Sequence, residues 1–111
     1  FLWQSRRGYH IIVHGMCPSG LLQAHYAWSQ DGVSWQHSTR QTWGYSVQIQ
    51  GASSKFFWRV ERPQLMFANK NETDWTVANP QYLINGVCDD GISCLEHPGM
   101  TYTLFRPLKQ A

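Results

Sequence analysis

No stretch of this chain carries the apolar stripe of an amphipathic helix, and clusters of Gly, Pro, Asn, Asp and Ser interrupt it about every ten residues. Segments bounded that closely suit strands, whose side chains alternate between two faces. The spacing is that of an all-β sandwich, barrel or propeller. Tyr9 to His14 reads as the first clear strand, with Tyr9, Ile11 and Val13 on one face and His10, Ile12 and His14 on the other. Gly15 ends it, and a second strand runs from Ala24 to Trp28. The turn Ser29-Gln30-Asp31-Gly32 then leads to a short strand ending near Trp35, completing a meander. Trp43 to Gln50 and Lys55 to Val60 read as a second antiparallel pair around Gly51-Ala52-Ser53. The chain continues as strand to Phe67, Tyr82 to Val87 pairs back, and Thr101 to Phe105 is the last strand. Seven or eight antiparallel strands in meander order are expected, with no low-complexity linker.

With 111 residues, 42% hydrophobic and 14% charged, the chain can bury a real core. Six Trp, five Tyr and five Phe suit a β-core and also suit surfaces that stack on sugars, since an aromatic face packs on C–H groups while its polar edge stays wet. The net charge of +2 is weak and the nine Lys and Arg form no run, so the footprint expected for nucleic acid or an anionic membrane is missing. No apolar run approaches the roughly 20 residues that span a bilayer. Phe1-Leu2-Trp3 reads as the tail of a strand beginning upstream, and the chain as a processed product or fragment.

The three cysteines form an odd set. Cys88 and Cys94 flank a turn-rich loop short enough for a local disulfide, whereas Cys17 lies far off in sequence. Asn71-Glu72-Thr73 fits the N-glycosylation pattern within a polar loop. Together they point to a secreted or extracellular protein.

Two local patterns stand out. In Ser29-Gln30-Asp31-Gly32-Val33-Ser34-Trp35, the Ser and Asp side chains can accept from nearby backbone N–H groups and Gly supplies positive φ, so this turn is expected to hold the fold. Glu61 is the other, a carboxylate within the strand-like run Lys55 to Phe67. Strands disfavour carboxylates, because burial removes hydration that packing does not replace. Pro63, lacking an N–H, confines the segment to an edge strand, a bulge or a strand start. A carboxylate at an open sheet edge can face a cleft. By parity Arg59 shares its face, and a nearby cation favours the ionised carboxylate and opposes the raised pKa of a proton donor, so a structural ion pair with Arg59 or Arg62 stands beside the acid role.

Taken together, Ala-Trp-Ser-Gln-Asp-Gly-Val-Ser-Trp resembles the recurrent turn of the five-bladed β-propeller glycoside hydrolases, the superfamily that contains families 32, 43, 62 and 68. Glu61-Arg62-Pro63 resembles the Glu-x-Pro motif at the start of an innermost strand of their third blade, and Phe1-Leu2-Trp3 resembles the residues after the Asp-Pro motif of the preceding blade. The resemblance implies a partial propeller of about two blades, residues 1 to about 50 and about 51 to 111. It implies a glycosidase, with a non-catalytic carbohydrate-binding or structural propeller module as the alternative, the ligand an oligo- or polysaccharide and no cofactor. Glu61 is then the general acid, and Trp3, His14, His25, Arg62 and Asn85 are expected to bind the sugar.

Glycosidic hydrolysis needs two carboxyl groups about 5 to 10 Å apart. The remaining acids, Asp31, Glu72, Asp74, Asp89, Asp90 and Glu96, sit in turns or polar loops, so no second member is visible. His10 and His14 share a strand face but stand about 13 Å apart, too far for one ion, and no metal is expected.

Overall fold

The structure, a computed structural model, describes residues 1–14, 24–67, 80–89 and 101–108. Among the described residues there are nine strands and no helix, and every pairing is antiparallel. Strands β1 (Leu2–Ser5), β2 (Gly8–His14), β3 (Ala24–Ser29) and β4 (Gln36–His37) form a four-stranded meander in chain order. Two short strands, β5 (Ser46–Val47) and β6 (Lys55–Phe56), pair with each other. The third sheet contains β7 (Arg59–Phe67), β8 (Pro80–Cys88) and β9 (Thr101–Pro107), again in chain order. No sheet closes into a barrel or propeller among the described residues. The expected sequon at Asn71 and the cysteines Cys17 and Cys94 lie outside them.

The period-two pattern of β2 places His10 and Ile12 inside and leaves Val13 exposed, as its alternation predicts. At the β1–β2 turn, Gly8 adopts φ 117°, and a Cβ there would run into the carbonyl oxygen of Ser29. Only glycine fits that approach. The β3–β4 connection is the staple expected from its sequence. Ser29 Oγ donates to Asp31 Oδ1 at 2.9 Å, and Oδ1 also accepts the N–H groups of Val33 and Ser34 at 2.8 Å each. Gly32, at φ 78°, donates its N–H to Ser29 Oγ, and Trp35 Nε1 donates back to the Gly32 carbonyl at 3.3 Å. These bonds hold the Asp31 carboxyl well down, to about 2, with the Ser34 and Val33 N–H groups the main causes. They also keep residues 31 to 34 out of the ladder, so β4 begins after Trp35 rather than ending there.

The expected strand from Trp43 to Gln50 shrinks to the two residues of β5. Gln48 Nε2 donates to the Ala52 carbonyl, Ser54 Oγ donates to Gln48 Oε1 and Ala52 N–H donates to the Ile49 carbonyl, which closes a turn of its own beyond β5. Trp43 enters the core instead of a ladder, where its indole Nε1 donates to the Val60 carbonyl at 3.1 Å. The core joins Ile12 and Ala24 of the first sheet to Val60, Leu83 and Val87 of the third, with Trp43, Val47 and Phe57 between them.

Candidate functional site

The strand β7 lies at the edge of its sheet and is bulged. Glu61 pairs with Gly86 and Gln64 with Ile84, so Arg62 and Pro63 together stand opposite the single residue Asn85. Both strand readings of Pro63, edge and bulge, therefore hold. Arg62 takes φ 50°, a left-handed conformation uncommon for a residue with a side chain. Its N–H donates to His14 Nδ1 at 3.1 Å, which ties the bulge to the end of β2 and leaves the ring proton of a neutral His14 on Nε2.

Beneath the bulge, Asn85 is fully buried. Its Nδ2 donates to the Glu61 carbonyl at 3.3 Å, and its Oδ1 accepts from Arg106 Nη2 at 2.9 Å. Arg106 Nη1 donates in turn to the Gly44 carbonyl, while its buried Nε meets no acceptor. Burial pushes the Arg106 guanidinium below its ordinary value, yet arginine stays charged there. This chain of bonds fixes the backbone of Glu61 from below.

Register sets the face that Glu61 shares. Arg59, Cys88 and Thr101 are neighbours across the three strands, as are Glu61, Gly86 and Thr103, and then Gln64, Ile84 and Phe105. Over this face lies an open cleft of about 560 Å³. Trp58, Arg59, Glu61, Arg62 and Gln64 line one side, and Thr101, Tyr102 and Thr103 contribute from β9. Arg59 Nη1 stands 3.5 Å from Glu61 Oε1, and the same guanidinium lies 4.4 Å from the centre of the Trp58 ring. The pair expected from strand parity is thus present, with an aromatic platform beside it. Trp58 is 40% exposed. The Tyr45 hydroxyl is pushed above its usual value, mainly by burial and further by the charge of Glu61.

No second carboxylate lines the cleft among the described residues. Asp89, which follows β8, accepts from the Tyr102 hydroxyl at 2.6 Å and pairs with Lys55 Nζ at 3.0 Å. Its carboxyl is lowered first by the Tyr102 bond and then by Lys55. Cys88, a lining residue, is disulfide-bonded.

Of the residues expected at a sugar site, Glu61, Arg62 and Asn85 meet at the cleft. His14 touches it only through the Arg62 backbone. Trp3 stacks on the His10 ring with centroids 5.0 Å apart, and His25 lies on β3 opposite Val13, so neither lines the cleft. Trp58, Thr101, Tyr102 and Thr103 escape a reading by motif. The alternation of buried Phe57 with exposed Trp58 is a signal for the first of these, whereas the β9 residues depend on a pairing made far along the chain.

Among the described residues, the fold and the cleft define an all-β protein with three antiparallel sheets and a polar, aromatic-walled groove at a bulged edge. Compared with protein-family models, curated proteins and solved structures, the chain matches none.

Proposed function

We propose that this chain binds carbohydrate in the cleft over β7, β8 and β9, as part of a secreted β-propeller of the glycoside hydrolase type. One observation carries the reading: a half-buried carboxylate, its guanidinium partner and a partly exposed indole meet in one open groove. Sugars are held by this combination. The indole packs on the C–H face of a ring, the carboxylate accepts from a pair of hydroxyls, and Gln64, Thr101 and Thr103 supply further donors and acceptors. In this reading β1 to β4 make one blade, in the meander order of a propeller blade, and β7 to β9 make most of the next. The disulfide at Cys88 agrees with an oxidising compartment.

Titration of the chain with a panel of neutral and acidic oligosaccharides, followed by Trp fluorescence and calorimetry, tests the reading. Saturable binding that weakens about tenfold in both Trp58→Ala and Glu61→Gln is expected. Absence of binding across the panel sinks it.

Hydrolysis is the second reading, favoured by the Glu-x-Pro position of Glu61 on a bulged edge strand whose next residue is in left-handed backbone, a conformation that gathers at functional sites. Glu61 is then the proton donor to the leaving-group oxygen, and a second carboxylate must act from the opposite side of the bond. Reducing-sugar release by the wild type that disappears in Glu61→Gln favours this reading. Binding without turnover leaves the cleft a lectin-like site.

A further inference from the structure

Among the described residues that line the cleft are two arginines, Arg59 and Arg62, and one acid, Glu61. Arg59 is committed, since it faces Glu61 at 3.5 Å and covers the Trp58 ring. Arg62 is not. Among the described residues its guanidinium takes part in no hydrogen bond, ion pair or ring contact, although Arg62 is one of the residues that line the cleft and is exposed. Its root is nevertheless held in place. The N–H is bonded to His14 Nδ1, the backbone sits at φ 50°, the next residue is a buried proline, and Asn85 grips the preceding carbonyl. Among the described residues, an uncommitted cation on a pinned root beside a carboxylate already paired with Arg59 gives the groove wall an excess positive charge.

We propose that the cleft selects sugars that carry an anionic group, and that Arg62 is the residue that receives that group. The proposal rests on the carbohydrate reading of the cleft and adds the class of ligand. A guanidinium presents two parallel N–H groups that match a carboxylate or a sulfate ester, and a charge-assisted bidentate contact is stronger than any a neutral hydroxyl makes. Glu61 works in the same direction. Paired with Arg59, it no longer repels an arriving anion as a lone carboxylate does, while its second oxygen stays available to a hydroxyl.

An oligogalacturonide and its fully methyl-esterified form share one backbone and differ in the carboxylate charge, so they separate the anion from the sugar. The acid form is expected to bind the wild-type chain roughly tenfold or more tightly than the ester. Arg62→Gln should bring the ratio of acid to ester affinity down to about one, and Arg62→Lys should keep part of the preference. The acid's advantage should shrink as salt is raised from about 0.05 to 0.5 M. A sulfated galactan oligosaccharide with its desulfated form makes a second arm, in which preference for sulfate alone assigns the group to a sulfate ester. Equal binding of charged and uncharged forms in both arms overturns the proposal and leaves carbohydrate binding standing, as does a preference that survives Arg62→Gln. Binding of no sugar, charged or neutral, overturns both. Circular dichroism of each variant with wild-type melting confirms that a lost preference is not lost folding.

Discussion

In the four-stranded sheet, polar side chains answer one another. His10 is buried, with Nε2 2.6 Å from Ser5 Oγ and Nδ1 2.8 Å from the Tyr26 hydroxyl, and the Trp3 ring covers it. Asp31 accepts three bonds inside its own turn. In the three-stranded sheet the outward face is built differently, for Glu61 has one cation and the Arg62 guanidinium has no partner among the described residues. Gln64 and Thr103 likewise face the open cleft. The first sheet uses its polar groups to hold its shape, and the third leaves some facing solvent on a strand bent by a bulge. Polar atoms that are satisfied internally stabilise a fold and recognise nothing. Those left facing a groove recognise ligands and contribute little to stability.

Substitutions can break this contrast. The largest effect is expected for Gly8→Ala, because the new Cβ meets the Ser29 backbone and φ 117° is strained for alanine. A loss of about 2 kcal/mol or more, seen in urea unfolding, is expected, and a melting curve matching wild type would remove the first sheet's claim to tight closure.

Asp31→Ala should come next, with a lower melting temperature at neutral pH. The dependence on pH identifies the cause. The carboxyl titrates near 3.8 when unfolded and at about 2 when folded, so the unfolded state takes up its proton first as acid is added. Its stabilisation is therefore complete well above pH 3.8 and disappears as pH falls through 2. The gap between wild type and variant should close over that window, and a gap independent of pH points to packing instead.

Glu61→Gln reverses the pattern. Its ion pair is half exposed, so stability should change by less than about 1 kcal/mol while the sugar binding proposed for the cleft weakens about tenfold. A large drop in melting temperature would instead make Glu61 a structural residue like those of the first sheet.

Arg62→Gly should be the mildest for the fold. Relief of left-handed strain, about 1 kcal/mol, opposes the larger backbone entropy of glycine, about 0.5 to 1 kcal/mol, and thermal unfolding should stay near wild type. Gly8 and Arg62 share the sign of φ, yet only Gly8 is enclosed by backbone.

The two sheets also differ in how much of them can be read from sequence. Ser29 to Trp35 is legible because every bond in it spans three residues or fewer, so residue order alone describes it. The Arg59–Glu61 pair follows from parity on one strand, and Pro63 announces an edge or a bulge. The cleft is less legible. Asn85 reaches Glu61 across 24 positions and Arg106 reaches Gly44 across 62, and no local pattern encodes which strand lies beside which. Trp3 illustrates the opposite error, since an aromatic residue suited to stacking on sugar stacks on His10 instead.

The bulge has a counterpart in the arithmetic of chain length. Val60 and Leu65 both pack toward the core although five positions separate them, an odd interval that a regular strand would place on opposite faces. The extra residue supplies the missing half-period. Removing Arg62 altogether should therefore leave Val60, Leu65 and their neighbours on the faces they now occupy and straighten β7 against β8. Deletion of Leu65 would turn every residue after it inside out. A chain shortened by one residue at the bulge is expected to fold with its sheet intact and its groove flattened, so that length, and not only side-chain identity, decides whether this edge can hold a ligand.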